Sequence, residues 1–447
     1  MARLFLDSAQ EGKPSFKRPE ELVAAIIALV EGKVLAAQGQ AYLHWGDLLH
    51  RTPPEGLTHE IWWMALKFQR LVSMQELPLK DRAGSPFTAA MPDAVIEVLQ
   101  RVDSALGGRI EMGEQVTDSA TRDRYSVSAL MEEAIASSQL EGASTTRRVA
   151  KEMLRTARPA RTPGERMIAN NYRGMLYVRD HCREPLSRAH VLALHGILTR
   201  DAIEPPDAAG RLRRPDEAVR VYDRETFEVV HDPPAADELQ ARLEVLIKLA
   251  NDEVPDRFVH PVVRAIAVHF GLAYDHPFVD GNGRTARALF QWTLLRHGYW
   301  LSEFLSPSVV ANRAPAAYAR AFRLTETDDN DLTYFVLQQL DALLKAVKAL
   351  EAYLSRKQRE LQQTERLLRN SSRLNHRQMA LLSHALRHGD ARYAIESHGT
   401  SQRIAYATSR ADLLGLARHR LLDKRRTGKR FEFLVPQDLE RRVAHMT

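Results

Sequence analysis

At 447 residues the chain is long for one domain, leaves room for two or three, and can bury a sizeable core. Its 44% hydrophobic and 27% charged residues match an ordinary soluble protein. No run approaches the roughly 20 apolar residues that span a bilayer, and an N-terminus that meets Asp and Glu early does not read as a signal peptide, so the expectation is a cytoplasmic protein with no membrane contact. The single cysteine, Cys182, excludes an internal disulfide and a multi-cysteine metal site.

In chain order, helical periodicity dominates. Residues 20–110 read as short helices with aromatic anchors, as in HEIWWMALKFQRL, broken by the proline loops RTPPEG and AGSPF; residues 1–110 are taken as an N-terminal helical region. Residues 121–142, TRDRYSVSALMEEAIASSQLEG, read as one helix stopped at Gly142, a residue able to adopt the left-handed cap conformation. After further helices to about residue 200, AVRVY and FEVVH flank DRET, a hairpin closed by a double proline. Helices resume at 235–250 and 260–274.

The stretch DHPFVDGNGRTAR, residues 275–287, then interrupts the pattern. Asp-Gly and Asn-Gly are hairpin dipeptides, but RTARALFQWTLLRHG follows with helical spacing, so the turn feeds a helix start. Aligning Gly281 with the glycine of a calcium loop puts His276 and Phe278 at ligand positions, which excludes that site. A Walker loop lacks its Gly-Lys-Ser/Thr, and a dinucleotide fingerprint lacks its glycine spacing and leading strand. An anion site remains. Gly281 and Gly283 let main-chain amides approach a phosphate at a helix N-terminus, Asn282 can donate from its side chain, and Arg284 and Arg287 project forked donors from one side. Asp280 offers an oxygen to Mg2+, and His276 can take a proton near neutral pH.

Leu340, Leu343, Val347, Leu350, Leu354 and Leu361 continue at threes and fours along a long helix, with residues 341–370 serving as a connector. Residues 371–447 hold 15 Lys/Arg against 7 Asp/Glu, more surplus than the whole chain's +6. There LNHRQMALLSHALRHG reads as a helix, SQRIAYATSRADLLGLARHRLL as a second, and DKRRTGKRFEFLVP as a basic turn before a strand-like run. This is the pattern of a winged helix, which can bind DNA or serve as a protein-interaction module.

HPFVDGNGRTAR resembles, without departure, the Fic family signature H-P-F-x-D/E-G-N-G-R-x-x-R. The resemblance covers roughly residues 120–340, with the domain proper at about 186–340. It implies a mainly α fold: a helical core with a small β-hairpin flap, between the helical N-terminal region and the winged-helix-like end. The implied activity is transfer of AMP from ATP to a Tyr, Ser or Thr hydroxyl of a target protein, or of the chain itself. His276 becomes the general base and Asp280 the Mg2+ ligand. Gly281, Asn282 and Gly283 form the anion hole, Thr285 and Ala286 lie in the same nucleotide-binding loop, and Arg284 and Arg287 take the outer phosphates. Val221 and Tyr222 lie on the flap, and Tyr318 lines the base. SSQLEG resembles the family's inhibitory helix, S/T-x-x-x-E-G/N, on Ser137, Glu141 and Gly142, whose four-residue spacing puts Ser137 and Glu141 on one face. Glu141 would then pair with Arg287 and remove the partner of the γ-phosphate. Some relatives use that glutamate to orient a water for removing AMP, so the reverse reaction stays open. Homodimers occur among relatives. The rival reading is a nucleotide-sensing, DNA-binding regulator acting through residues 371–447.

Overall fold

The computed structural model describes residues 19–32, 42–109, 119–222, 226–254, 258–369, 374–389, 391–402, 404–427 and 430–445. They fall into two compact units, Met1–Ile110 with Ala129–Ala346, and Glu111–Ser128 with Val347–Thr447.

The first unit opens with helices α1 (Pro19–Val30), α2 (Trp45–Leu48) and α3 (His59–Leu71). Thr58 Oγ1 caps α3 by accepting from the Ile61 amide, and Trp62, Trp63 and Leu66 bury its inner face. The sequence suggested only short helices here, but β1 (Met74–Lys80) and β2 (Pro86–Ala90) form an antiparallel hairpin before α4 (Asp93–Ser104). Leu77 and Leu79 on one strand and Phe87 and Ala89 on the other are buried, a period of two that Pro78 disguises in the sequence.

The long helix α5 (Ser119–Leu140) leads to α6 (Arg147–Thr156), α7 (Pro163–His181) and α8 (Arg188–Thr199). The flap follows as β3 (Val221–Tyr222) and β4 (Val229–His231), paired antiparallel where the sequence expected a hairpin. Next come α9 (Leu239–Ala250), α10 (Pro261–Asp275), α11 (Asn282–Arg296), α12 (Pro307–Arg313), α13 (Pro315–Thr327) and α14 (Thr333–Arg369).

Helices α10 and α11 pack against each other, and nearly every residue from Val262 to Leu272 and from Arg284 to Leu294 is buried. Helices buried on all sides belong at the centre of a fold. The turn between them, residues 276–281, is therefore carried by two deeply buried helices. The N-terminal hairpin joins this core through two backbone bonds, Thr88 N to Asn330 O at 3.0 Å and Leu332 N to Thr88 O at 2.7 Å.

The second unit contains α15 (His376–Arg387), β5 (Arg392–Ala394), α16 (Ile395–Gln402), α17 (Tyr406–Arg418), β6 (Asp423–Thr427), β7 (Arg430–Leu434) and α18 (Leu439–Ala444). The strands form a sheet in the order β5-β7-β6, over a core that includes Leu382, Leu413, Leu416 and Phe433. The stretch read as one amphipathic helix is broken: α16 ends at Gln402 and α17 starts at Tyr406. Ser409 Oγ donates to Ile395 O across that break, so a small polar residue is packed between the two helices. Fold class is mainly α, as expected. Among the described residues no helix is long and apolar enough to cross a membrane.

Candidate active site

His276 ends α10 in the left-handed conformation, φ 44°, which turns the chain sharply into the loop. Its Nδ1 lies 2.7 Å from Ala273 O. A carbonyl only accepts, so Nδ1 carries the proton and Nε2 keeps its lone pair; Nε2 has no hydrogen-bond partner among the described residues. Burial lowers the ring's pKa, opposed by the bond to Ala273. The fold therefore presents a neutral imidazole oriented as a base.

The loop is closed by its own side chains. Asn282 Oδ1 accepts from Phe278 N at 2.9 Å while its Nδ2 donates to Phe278 O at 2.8 Å. The sequence reading aimed this amide at a phosphate; the structure uses its Oδ1 and Nδ2 to tie the turn. Thr285 Oγ1 donates to Gly281 O at 2.8 Å, and Ala286 is fully buried behind it. Gly281 takes φ 82°, and a β-carbon there would lie 2.7 Å from Thr199 Cγ2, so both conformation and space call for glycine. The first amides of α11, at residues 282–284, have no acceptor inside the helix.

Arg284 is 1% exposed and donates to Leu198 O at 3.0 Å and to Asp280 Oδ2 at 3.3 Å, while its Nε has no partner. A buried guanidinium with donors unsatisfied fits an anion supplied from outside. The Asp280 side chain is about half exposed.

Arg287 is held by the segment that ends α5. Its Nε donates to Ser137 Oγ at 2.8 Å, and its Nη2 to Ser137 O at 2.9 Å and to Glu141 Oε1 at 2.7 Å. Glu141 follows the last turn of α5, which Gly142 stops at φ 99°. Its carboxylate lies over the loop, because a β-carbon on Gly283 would collide with Glu141 Oε1. A side-chain anion thus occupies the mouth of an anion cradle. The helix that carries it is fixed by Glu133, which accepts from the Ser308 N–H at 3.1 Å and from its hydroxyl, and by Asn171, which donates to Ser138 Oγ and Ala134 O at 3.2 Å each.

Tyr318 sits behind Arg287 and not at the loop's mouth: its hydroxyl meets His269 Nε2 at 2.8 Å, in a pocket lined also by Glu133 and Arg287. Val221 and Tyr222 lie on the flap, with Tyr222 exposed. The flap reaches the site through His231, which faces the Tyr274 carbonyl two residues before His276.

Three positioning residues escaped the sequence reading. Arg213 donates through Nε to His276 O at 2.9 Å, with its amide bonded to Pro277 O at 2.9 Å. His195 stacks on Phe278 with ring centroids 3.7 Å apart and donates to Asp280 O at 2.9 Å, while its Nδ1 accepts from Gly210 N. Arg242 pairs with Asp275 at 2.7 Å, and burial raises that carboxyl's pKa to about 6 against the pull of the guanidinium.

Residues 185–294 match the family described as Fic/DOC. A protein named "Protein adenylyltransferase Fic" from Nematostella vectensis is 38% identical over 85 residues, 19% of this chain and 20% of that one. Its Drosophila melanogaster counterpart is 32% identical over 124 residues, 28% of this chain and 23% of the relative. The chain thus aligns with only about a fifth of the length of these curated relatives. Among solved structures, a Fic family protein from Desulfovibrio desulfuricans G20 superposes with a TM-score of 0.53 at 20% identity, covering 78% of this chain and 98% of that one, which is a likeness of fold.

Proposed function

We propose that this chain, whose residues 185–294 match the Fic/DOC family, is a protein adenylyltransferase held silent by Glu141. The substrates are ATP and a protein with a Tyr, Ser or Thr hydroxyl. The target oxygen bonds to the α-phosphorus, its proton passes to His276 Nε2, and the bond to the β-phosphate breaks to release pyrophosphate. The amides of 282–284 and the guanidinium of Arg284 would stabilise the charge that develops on the phosphoryl oxygens. Val221 and Tyr222 offer a strand edge along which a target segment can pair.

Asp280 fits Mg2+. Among the described residues no group of three or more His, Cys, Asp or Glu gathers that could hold a metal alone. An ion here would lean on one carboxylate and on the nucleotide's own phosphates, as Mg2+ commonly does. When bound, Mg2+ neutralises phosphate charge.

The observation that carries the reading is the Glu141 carboxylate, bonded to Arg287 and lying over Gly283, where an outer phosphate would sit. The Glu141→Gly variant, incubated with ATP labelled at the α-phosphate and Mg2+, should label protein. Labelling that persists after His276→Ala, or that never exceeds wild type, would refute it.

The second unit supports a further partner, duplex DNA. Its β5-β7-β6 sheet presents exposed Lys424, Arg425 and Arg426 on β6, with α17 as the helix available to a groove. Binding of the full chain to DNA should then weaken steeply with added salt.

A further inference from the structure

The flap strand β4 ends on a histidine whose ring nitrogens both face acceptors. His231 Nε2 lies 2.6 Å from Tyr274 O, and Nδ1 lies 2.9 Å from Glu326 Oε2. A carbonyl oxygen and an ionised carboxylate can only accept, so each nitrogen must bring a proton, and the ring is an imidazolium. The site is built for it: the His231 side chain is 10% exposed, and its ring rests on that of Tyr274 with centroids 4.6 Å apart. Burial disfavours the charge, but Glu326 and the Tyr274 carbonyl outweigh it and raise the pKa from the ordinary histidine value.

Three segments meet at this ring. Helix α10 contributes Tyr274, in the turn that delivers His276. Helix α13 contributes Glu326. The flap contributes His231 and the adjacent Asp232, which pairs with Arg82 from the β1–β2 turn and with Arg220. The positive ring is also one of the groups that hold down the pKa of His276. Asp275, a further charge nearby, is already paired with Arg242, and Arg213 donates to His276 O on the same turn.

We propose that His231 is a positioning residue: as a cation it fastens the flap to the last turn of the helix that presents the base, and losing its proton releases the flap. Its catalytic consequence rests on the adenylyltransferase reading, but the fastening does not. In the neutral ring one nitrogen turns a lone pair toward an oxygen, so one of two bonds is replaced by repulsion. The sign follows from the raised pKa. The flap is held at pH below the raised folded-state value and loosens as pH rises through it.

The test uses the full chain with its histidine rings labelled with nitrogen-15, titrated from about pH 5.5 to about 9, a range that brackets the ordinary histidine value. His231 should show both nitrogens protonated at low pH and titrate above the ordinary histidine value, and Glu326→Gln should lower that titration. Amide exchange of Val221, Tyr222, Val229 and Val230, compared between wild type and His231→Gln at each pH, cancels the intrinsic pH dependence. Protection should be about tenfold greater in wild type at low pH, the loss of one charge-assisted hydrogen bond, and equal at high pH. In the Glu141→Gly background, KM for the protein acceptor should rise with pH while KM for ATP stays level, and His231→Gln should remove that rise. A ring that titrates at or below the ordinary histidine value, or flap exchange indifferent to His231→Gln, overturns the proposal. Absent labelling with the exchange result intact sinks only the adenylyltransferase reading.

Discussion

Replacing Glu141 by glutamine tests whether charge or bulk keeps the cradle closed. The carboxylate accepts a charge-assisted hydrogen bond from Arg287 at 2.7 Å, with a side chain that is 28% exposed. Such a bond is worth about 1.5–3 kcal/mol, and partial exposure argues for the lower part of that range. About 1.5–2 kcal/mol corresponds to a factor of about 10–30 in productive nucleotide binding, because Arg287 must be surrendered before it can meet an outer phosphate. Glutamine keeps the shape and a neutral acceptor but removes the competing anion, so it should recover about half of that free energy, a rise of about 3–6-fold. Glycine removes the side chain and should recover all of it. Ser137→Ala is the control. It strips Oγ from Arg287 Nε but leaves Glu141 in place, so labelling should change little. The assay is the initial rate of label transfer from α-labelled ATP at nucleotide concentrations below KM. If Glu141→Gln stays as silent as wild type while Glu141→Gly is released, obstruction and not electrostatic competition closes the site. If Ser137→Ala releases as strongly as Glu141→Gly, loosening of α5 is the cause.

Gly283→Ala should dislodge Glu141, since the new methyl would collide with Oε1 and lie 3.0 Å from Arg287 Nη1; its destabilisation, measured by thermal unfolding, should shrink when Glu141→Gly is added. Asn282→Ala leaves Phe278 N and O without their partners inside the fold, at about 1–3 kcal/mol for each buried group, so the urea midpoint followed by tryptophan fluorescence should fall and nucleotide binding with it. Because burial lowers the pKa of His276, the ring stays a neutral base as pH falls through the ordinary histidine value, about 6.5; kcat/KM of Glu141→Gly should hold level there and drop only at lower pH.

The site was legible where one short segment carries it. His276, Asp280 and the run from Gly281 to Arg287 are adjacent in sequence, and the glycines and arginines declare an anion before any fold is known. Ser137, Glu141 and Gly142 were legible because four residues make one helical turn and a left-handed glycine ends it. Asn282 was misread in part, since an exposed amide and one that ties its own turn look alike in sequence. Arg213 and His195 were invisible for another reason. They act on main-chain carbonyls 63 and 85 residues away, and a contact with a carbonyl leaves no residue-type signature at the far end. The N-terminal hairpin was missed because Pro78 breaks an alternation that burial shows to be intact.

The same contacts restrict how the proposed activity can be switched on. ATP that binds with Glu141 in place gains nothing from Arg287, and it populates the open state only to the extent that its outer phosphate binds Arg287 better than Glu141 does. A larger shift needs something that favours an undocked α5. That helix is held at points remote from the nucleotide: Glu133 at Ser308, Ser138 at Asn171, and Glu132 at Arg147, whose Nε donates at 2.7 Å. Glu132 is the most accessible of these anchors, with its side chain 18% exposed beside an Arg147 that is 66% exposed. Lys151 pairs with Glu132 as well, so a partner that takes both Arg147 and Lys151 from Glu132 would loosen α5 without touching the cradle.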